Sequence, residues 1–221
     1  MGRQLIDADL EGSLALGLDS RVASTLKFIE KLTRDPCGVT TTDLAPLRES
    51  GVSEEAVLDA VVICAGFNVI VRVAHALGFA MAEPDELRKG AKFLLRFGYS
   101  ICSGVWLRMP LRYHGCSLQR YRAAFDELER RVLESPGSLP IEIRRSVSRG
   151  KGIAEPLCGY ALKVLRDARL VRDTDIALLR QARYSEDQIF EATICAALGA
   201  GLIRFEAGLA ALGLKAPVLH Q

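Results

Sequence analysis

A chain of 221 residues, 49% hydrophobic and 25% charged, has the composition of a globular protein and enough apolar material for a substantial core. Its formal net charge of +2 excludes a strong electrostatic claim on nucleic acid or on an acidic membrane surface. Basic residues gather over 108–149, but Asp126, Glu127, Glu129, Glu134 and Glu142 interleave with them, the pattern of a solvated helix face.

The opening residues break a short apolar stretch with Asp7, Asp9 and Glu11, so no export signal is expected. No uninterrupted apolar run reaches about 18 residues, so no membrane-spanning helix is expected either. Six cysteines in such a chain are expected to be reduced thiols in the cytoplasm.

Residues 7–18 read as a short helix ending near Gly17. Ser20 is placed to cap a helix over 21–32, with Val22, Leu26, Ile29 and Leu32 on one face. Asp35, Pro36, Cys37 and Gly38 make a turn. A small helix starts at Thr41 or Thr42 and stops at Ser50-Gly51, after which Ser53 caps a long helix. Pro84 suits a first helical turn, so 86–107 is expected to be helical until Met109-Pro110 breaks it. Residues 112–116 are loop, and Ser117 caps a helix over 118–133. After the break at Ser135-Pro136-Gly137-Ser138, a short amphipathic helix covers 140–148 and a loop covers 149–152.

The stretch 184–212 is the most informative. Ser185 and Gln188 form a capping box, and Ile189, Ile194, Leu198, Leu202, Phe205 and Leu209 recur as on a buried helical face. Ala196, Ala197, Gly199, Ala200 and Gly201 leave its middle nearly bare, so another backbone can pack close. No alternating strand pattern of useful length occurs, which makes the expected fold class all-α.

Residues 52–79 align with this stretch without a gap at an offset of 132 residues. The echo extends backwards: Lys31, Arg34, Asp35, Asp43 and Arg48 match Lys163, Arg166, Asp167, Asp175 and Arg180. About 15 identities over roughly 50 residues exceed what two unrelated amphipathic helices share. The expected organisation is a tandem duplication. A first arm covers 1–83, an intervening helical segment 84–154 and a second arm 155–221, in one compact unit.

Candidate chemistry lies in polar residues on apolar helices. Cys64, Asn68, Arg72 and His75 stand at i, i+4, i+8 and i+11 on one ridge of the first long helix. They could line a pocket, with His75 as acid or base, Arg72 as anion partner and Cys64 as thiol. The same pattern also fits a core thiol beside a paired arginine. Cys64 and His75 are about 16 Å apart along the axis, too far for a thiolate pair on one helix. Glu191 and Cys195, at i and i+4, could relay a proton, but the carboxylate would raise the thiol's pKa. Glu191 corresponds to Asp59, and Arg204 to Arg72. These acids and arginines are expected to meet as structural ion pairs across antiparallel neighbours or subunits. Tyr113-His114-Gly115-Cys116 offers two ligands, too few for a metal site. With no Cys-x-x-Cys and no phosphate loop, neither metal nor cofactor is expected.

Certain stretches also carry a resemblance. In the first arm they are Lys31-Leu32-Thr33-Arg34-Asp35-Pro36, Thr42-Asp43-Leu44, Leu47-Arg48-Glu49-Ser50-Gly51-Val52-Ser53, Phe67-Asn68, Arg72-Val73-Ala74 and Leu77-Gly78. In the second they are Asp173-Thr174-Asp175-Ile176, Leu179-Arg180, Tyr184 through Glu191, and Ala196 through Leu202. Together, over a little more than half the chain, they resemble the helical core of the AhpD-like superfamily. That group includes carboxymuconolactone decarboxylases and peroxidase-related proteins. The resemblance implies an AhpD-like bundle of two pseudo-repeats and a homo-oligomer. Peroxidatic members carry a Cys-x-x-Cys and a following histidine on a preceding helix. Here the corresponding residues 139–156 contain neither cysteine nor histidine.

The expected function is therefore that of a degenerate member without the dithiol site, acting through helix packing as an assembly or small-molecule-binding protein. Asn68, Glu191, Cys195 and Arg204 are its candidate ligand-binding residues, and neither nucleic acid nor membrane is expected as a partner. The alternative is an enzyme without a dithiol. It would be a peroxidase around Cys64, or would run lactone or decarboxylation chemistry on His75 and Arg72.

Overall fold

A computed structural model describes residues 19–79 and 118–214, with Glu86, Lys89 and Phe93 between them. The described residues form helices and no strand. In chain order they are α1 (Ser20–Arg34), 3-10 turns at Pro36–Gly38 and Thr41–Leu44, α2 (Ala45–Glu49) and α3 (Glu54–Ala76). Then come α4 (Leu118–Glu134), α5 (Ile141–Arg149), α6 (Leu157–Asp167), a 3-10 turn at Ala168–Leu170, α7 (Asp173–Gln181) and α8 (Glu186–Ala211). The helix expected over 7–18, the loop at 112–116 with its His-x-Cys pair, and the cap at Ser117 lie outside the described residues. Of the helix expected over 86–107, only Glu86, Lys89 and Phe93 are described, and they are helical.

Local chemistry sets the helix starts. Ser53 accepts the Ala56 N–H, and Ser185 with Gln188 forms the reciprocal capping box on α8. The α1 cap is Asp19 rather than Ser20: its carboxylate accepts the Arg21 N–H at 2.9 Å, so the helix starts one residue sooner than expected.

The core forms where α8 crosses α3. Along α8 the contacts step from Gly201, against Ala65 and Val69, to Gly208, against Val61, so the two helices run antiparallel. A Cβ at Gly201 would lie 2.5 Å from Val69 Cγ2 and 2.9 Å from the Ala65 carbonyl oxygen, so the missing side chain permits this crossing. On another side of α8, Gly199 lies against the backbone of Ser148 in α5. On a third, Phe205 stacks on Phe125 of α4, ring centroids 4.2 Å apart. The helix is buried on nearly every side, which explains why its apolar residues run almost all round it.

By length and composition, α3 and α8 are each apolar enough to cross a membrane. Isolated polar residues interrupt the apolar runs yet leave the mean hydropathy high. The apolar window of α8 is 72% buried within the protein, as in a core helix, against 39% for α3.

Candidate functional site

Four of the residues singled out from the sequence come together on α3 and α8, beside the C-terminal ends of α1 and α6. Arg72, on α3, sends Nε to the Leu165 carbonyl oxygen (3.3 Å) and Nη2 to that of Arg166 (3.5 Å). Arg204, on α8, sends Nε and Nη2 to the Thr33 carbonyl oxygen, at 3.2 and 2.7 Å. Thr33 and Leu165 occupy the last turns of α1 and α6, where carbonyls lack intrahelical partners and the helix dipole is negative. Each guanidinium is thus a C-terminal cap for another helix, Arg72 of α3 closing α6 and Arg204 of α8 closing α1. The two contacts are reciprocal, since 33 and 165 differ by the same 132 residues as 72 and 204. Each arginine also satisfies its own helix four residues back, at Asn68 O (3.2 Å) and Ala200 O (2.7 Å).

Asn68 and Cys64 complete the cluster. Asn68 Oδ1 accepts from Arg72, and its Nδ2 donates to the Cys64 carbonyl oxygen at 2.8 Å. The Cys64 Sγ lies 3.3 Å from Thr33 Oγ1 and 3.4 Å from Asn68 Nδ2. Burial pushes this thiol above its ordinary range, and the Thr33 hydroxyl and the two arginines only partly offset that. Burial, and then the charge of Arg204, lowers Arg72 to about 10; burial lowers Arg204 as well. The cluster is buried and internally hydrogen-bonded, without a poised nucleophile.

His75 stands apart from it. Half-buried at the end of α3, it borders an open cleft of about 420 Å³ with Tyr160, Arg172, Glu186, Asp187 and Phe190. A cleft of that size, with an aromatic wall and charged groups of both signs, suits a small polar molecule better than a buried thiol site does.

Glu191 and Cys195 lie at a third place. Both Glu191 oxygens are occupied, by the Ser138 N–H at 2.6 Å and the Leu139 N–H at 2.8 Å, so the carboxylate pins the turn that leads into α5. Burial pushes the Cys195 thiol up to about 12, and Glu191 adds to the rise while Arg144 opposes it. The Glu191 carboxylate is committed to two backbone donors rather than to the Cys195 thiol.

Among the described residues, the ion pairs expected of Asp59 with Arg72 and of Glu191 with Arg204 do not form within the chain. Asp59 accepts the Tyr121 hydroxyl at 2.6 Å, Glu191 accepts backbone N–H groups, and Arg72 and Arg204 use carbonyls. Spacing placed these side chains on helices but said nothing of which backbone would cross them. Thr33 was missed because a carbonyl acceptor leaves no mark in a side-chain pattern. Arg144, buried on α5, did leave one: an arginine three residues after Ile141 on an amphipathic helix. Among the described residues, no three His, Cys, Asp or Glu side chains converge as metal ligands. Compared with family models, with curated proteins and with solved structures, the chain matches none.

Proposed function

We propose that this chain is a duplicated, AhpD-like helical protein without dithiol peroxidase chemistry, which binds a small molecule at the His75 cleft. The observation carrying this reading is how the buried cluster uses its polar atoms. The arginines serve as helix caps, and the Cys64 thiol is held protonated by burial, as is that of Cys195 outside the cluster. The duplication is supported by contacts that recur at the same offset. Lys31–Asp43 and Lys163–Asp175 are both ion pairs at 2.6 Å, and Arg48–Glu54 is matched by Arg180–Glu186. The test is peroxide consumption with a dithiol reductant by wild type, Cys64→Ser and Cys195→Ser. No turnover by any of the three is expected; turnover abolished by one substitution would sink the proposal.

A second reading is favoured by the placement of His75 in the cleft rather than in the thiol cluster. It is an enzyme with His75 as acid or base and no thiol, taking a small acid or lactone. Arg72, bound to helix carbonyls on another part of α3, would take no part; Arg172 is the cation in reach of the same ligand. Conversion of a ligand that the cleft binds, abolished by His75→Gln without loss of binding, would establish it.

A further inference from the structure

One face of α3 has no cover among the described residues. Ile63, Phe67 and Ile70 are 59%, 58% and 62% exposed, at i, i+4 and i+7, whereas large contiguous apolar faces are rare on soluble surfaces. The counterparts in the second arm, 132 residues on, are Cys195, Gly199 and Leu202. Cys195 is 1% and Leu202 7% exposed, and Gly199 is buried. The difference is α5, which packs Ser148 onto Gly199. One step further round, where α5 does not reach, the arms agree: Val71 is 43% exposed and Ile203 39%.

We propose that residues 8–17 of this same chain dock on that face of α3, as α5 docks on α8. The inference rests on the duplication reading and adds what covers the first arm. Residues 8–17, ADLEGSLALG, precede α1 as α5 precedes α6. At an offset of 133, one residue from the arms' own, Leu10, Ser13, Leu14 and Gly17 fall on Ile143, Ser146, Val147 and Gly150. Ile143 and Val147 are the apolar residues that α5 packs against the core, and Gly150 is its left-handed C-cap at φ 66°. Sizes compensate across the two sites. Where α8 is bare at Gly199 it meets α5 closely; where α3 carries Phe67, the candidate segment supplies Gly12, Ser13 and Ala15.

The test is photo-crosslinking from benzoylphenylalanine placed at Leu14, and separately at Leu10, in the full chain. Nitrogen-15-labelled and unlabelled protein are mixed before irradiation. The expected adducts fall within residues 63–71 and join positions of one isotopic chain. Adducts joining labelled to unlabelled chains would give the face to a second copy and overturn the proposal. Adducts that miss α3, with the chain sedimenting on phosphatidylcholine–phosphatidylglycerol vesicles or remaining free of them, would overturn it as well. Gly199→Ala separates this failure from that of the underlying reading. A clear fall in Tm upholds the packing of α5 on α8 whatever the crosslinks show, whereas an unchanged Tm removes the packing from which the correspondence is drawn.

Discussion

Arg72 and Arg204 share a chemical problem: a guanidinium is always charged and costly to bury without partners. Their solution is to meet helix carbonyls that lack partners, so two deficits cancel at one contact. Cys64 beside them, and Cys195 elsewhere on α8, stay neutral because burial disfavours the thiolate. Exposed Cys37 is expected to take iodoacetamide at once, with Cys64 and Cys195 modified only as the fold opens in urea; mass spectrometry of timed samples checks this. Glu206 provides a pH readout. Burial, with a smaller contribution from the charge of Glu129, raises its carboxyl from 4.5 to about 7. The folded value lies above the unfolded one, so its contribution is fully present below pH 4.5 and is lost as the pH rises through about 7. Glu206→Gln should match wild-type stability near the lower limit and exceed it at about pH 8 by on the order of 1–3 kcal/mol, read from urea unfolding at both pH values.

At the scale of elements, α8 organises the chain through what it lacks. Its glycines let α3 and α5 approach to backbone contact, so Gly201→Ala should cost about 1–3 kcal/mol despite alanine's better helix propensity, measurable as a fall in Tm. Much of this element was legible in the sequence. Ser185 and Gln188 announced its start, and the run from Ala196 to Gly201 announced a close crossing. The partner on each side was not legible, because small residues permit approach from any helix. The caps show the same limit. Ser53 was evident from its own side chain, whereas Asp19 displaced Ser20 because its carboxylate also pairs with Arg21. The polar ridge on α3 reads as one site, but three helical turns set His75 about 16 Å along the axis from Cys64, and only the fold decides which of its members meet.

Across the described residues, the long helices are tied together by exchange: α3 supplies the arginine that closes α6, and α8 the one that closes α1. Such a lock predicts coupling, since freeing one helix end loosens the crossing on which the other cap depends. It also explains how the cluster can be polar and buried without being reactive. The most direct measurement is urea unfolding of Arg72→Ala, Arg204→Ala and the double variant. The account predicts that each single substitution costs about 2–4 kcal/mol, through uncapped carbonyls left in the interior, and that the double costs less than the sum. Singles within about 0.5 kcal/mol of wild type would contradict it, because arginines that can be removed so cheaply cannot be what ties the long helices together.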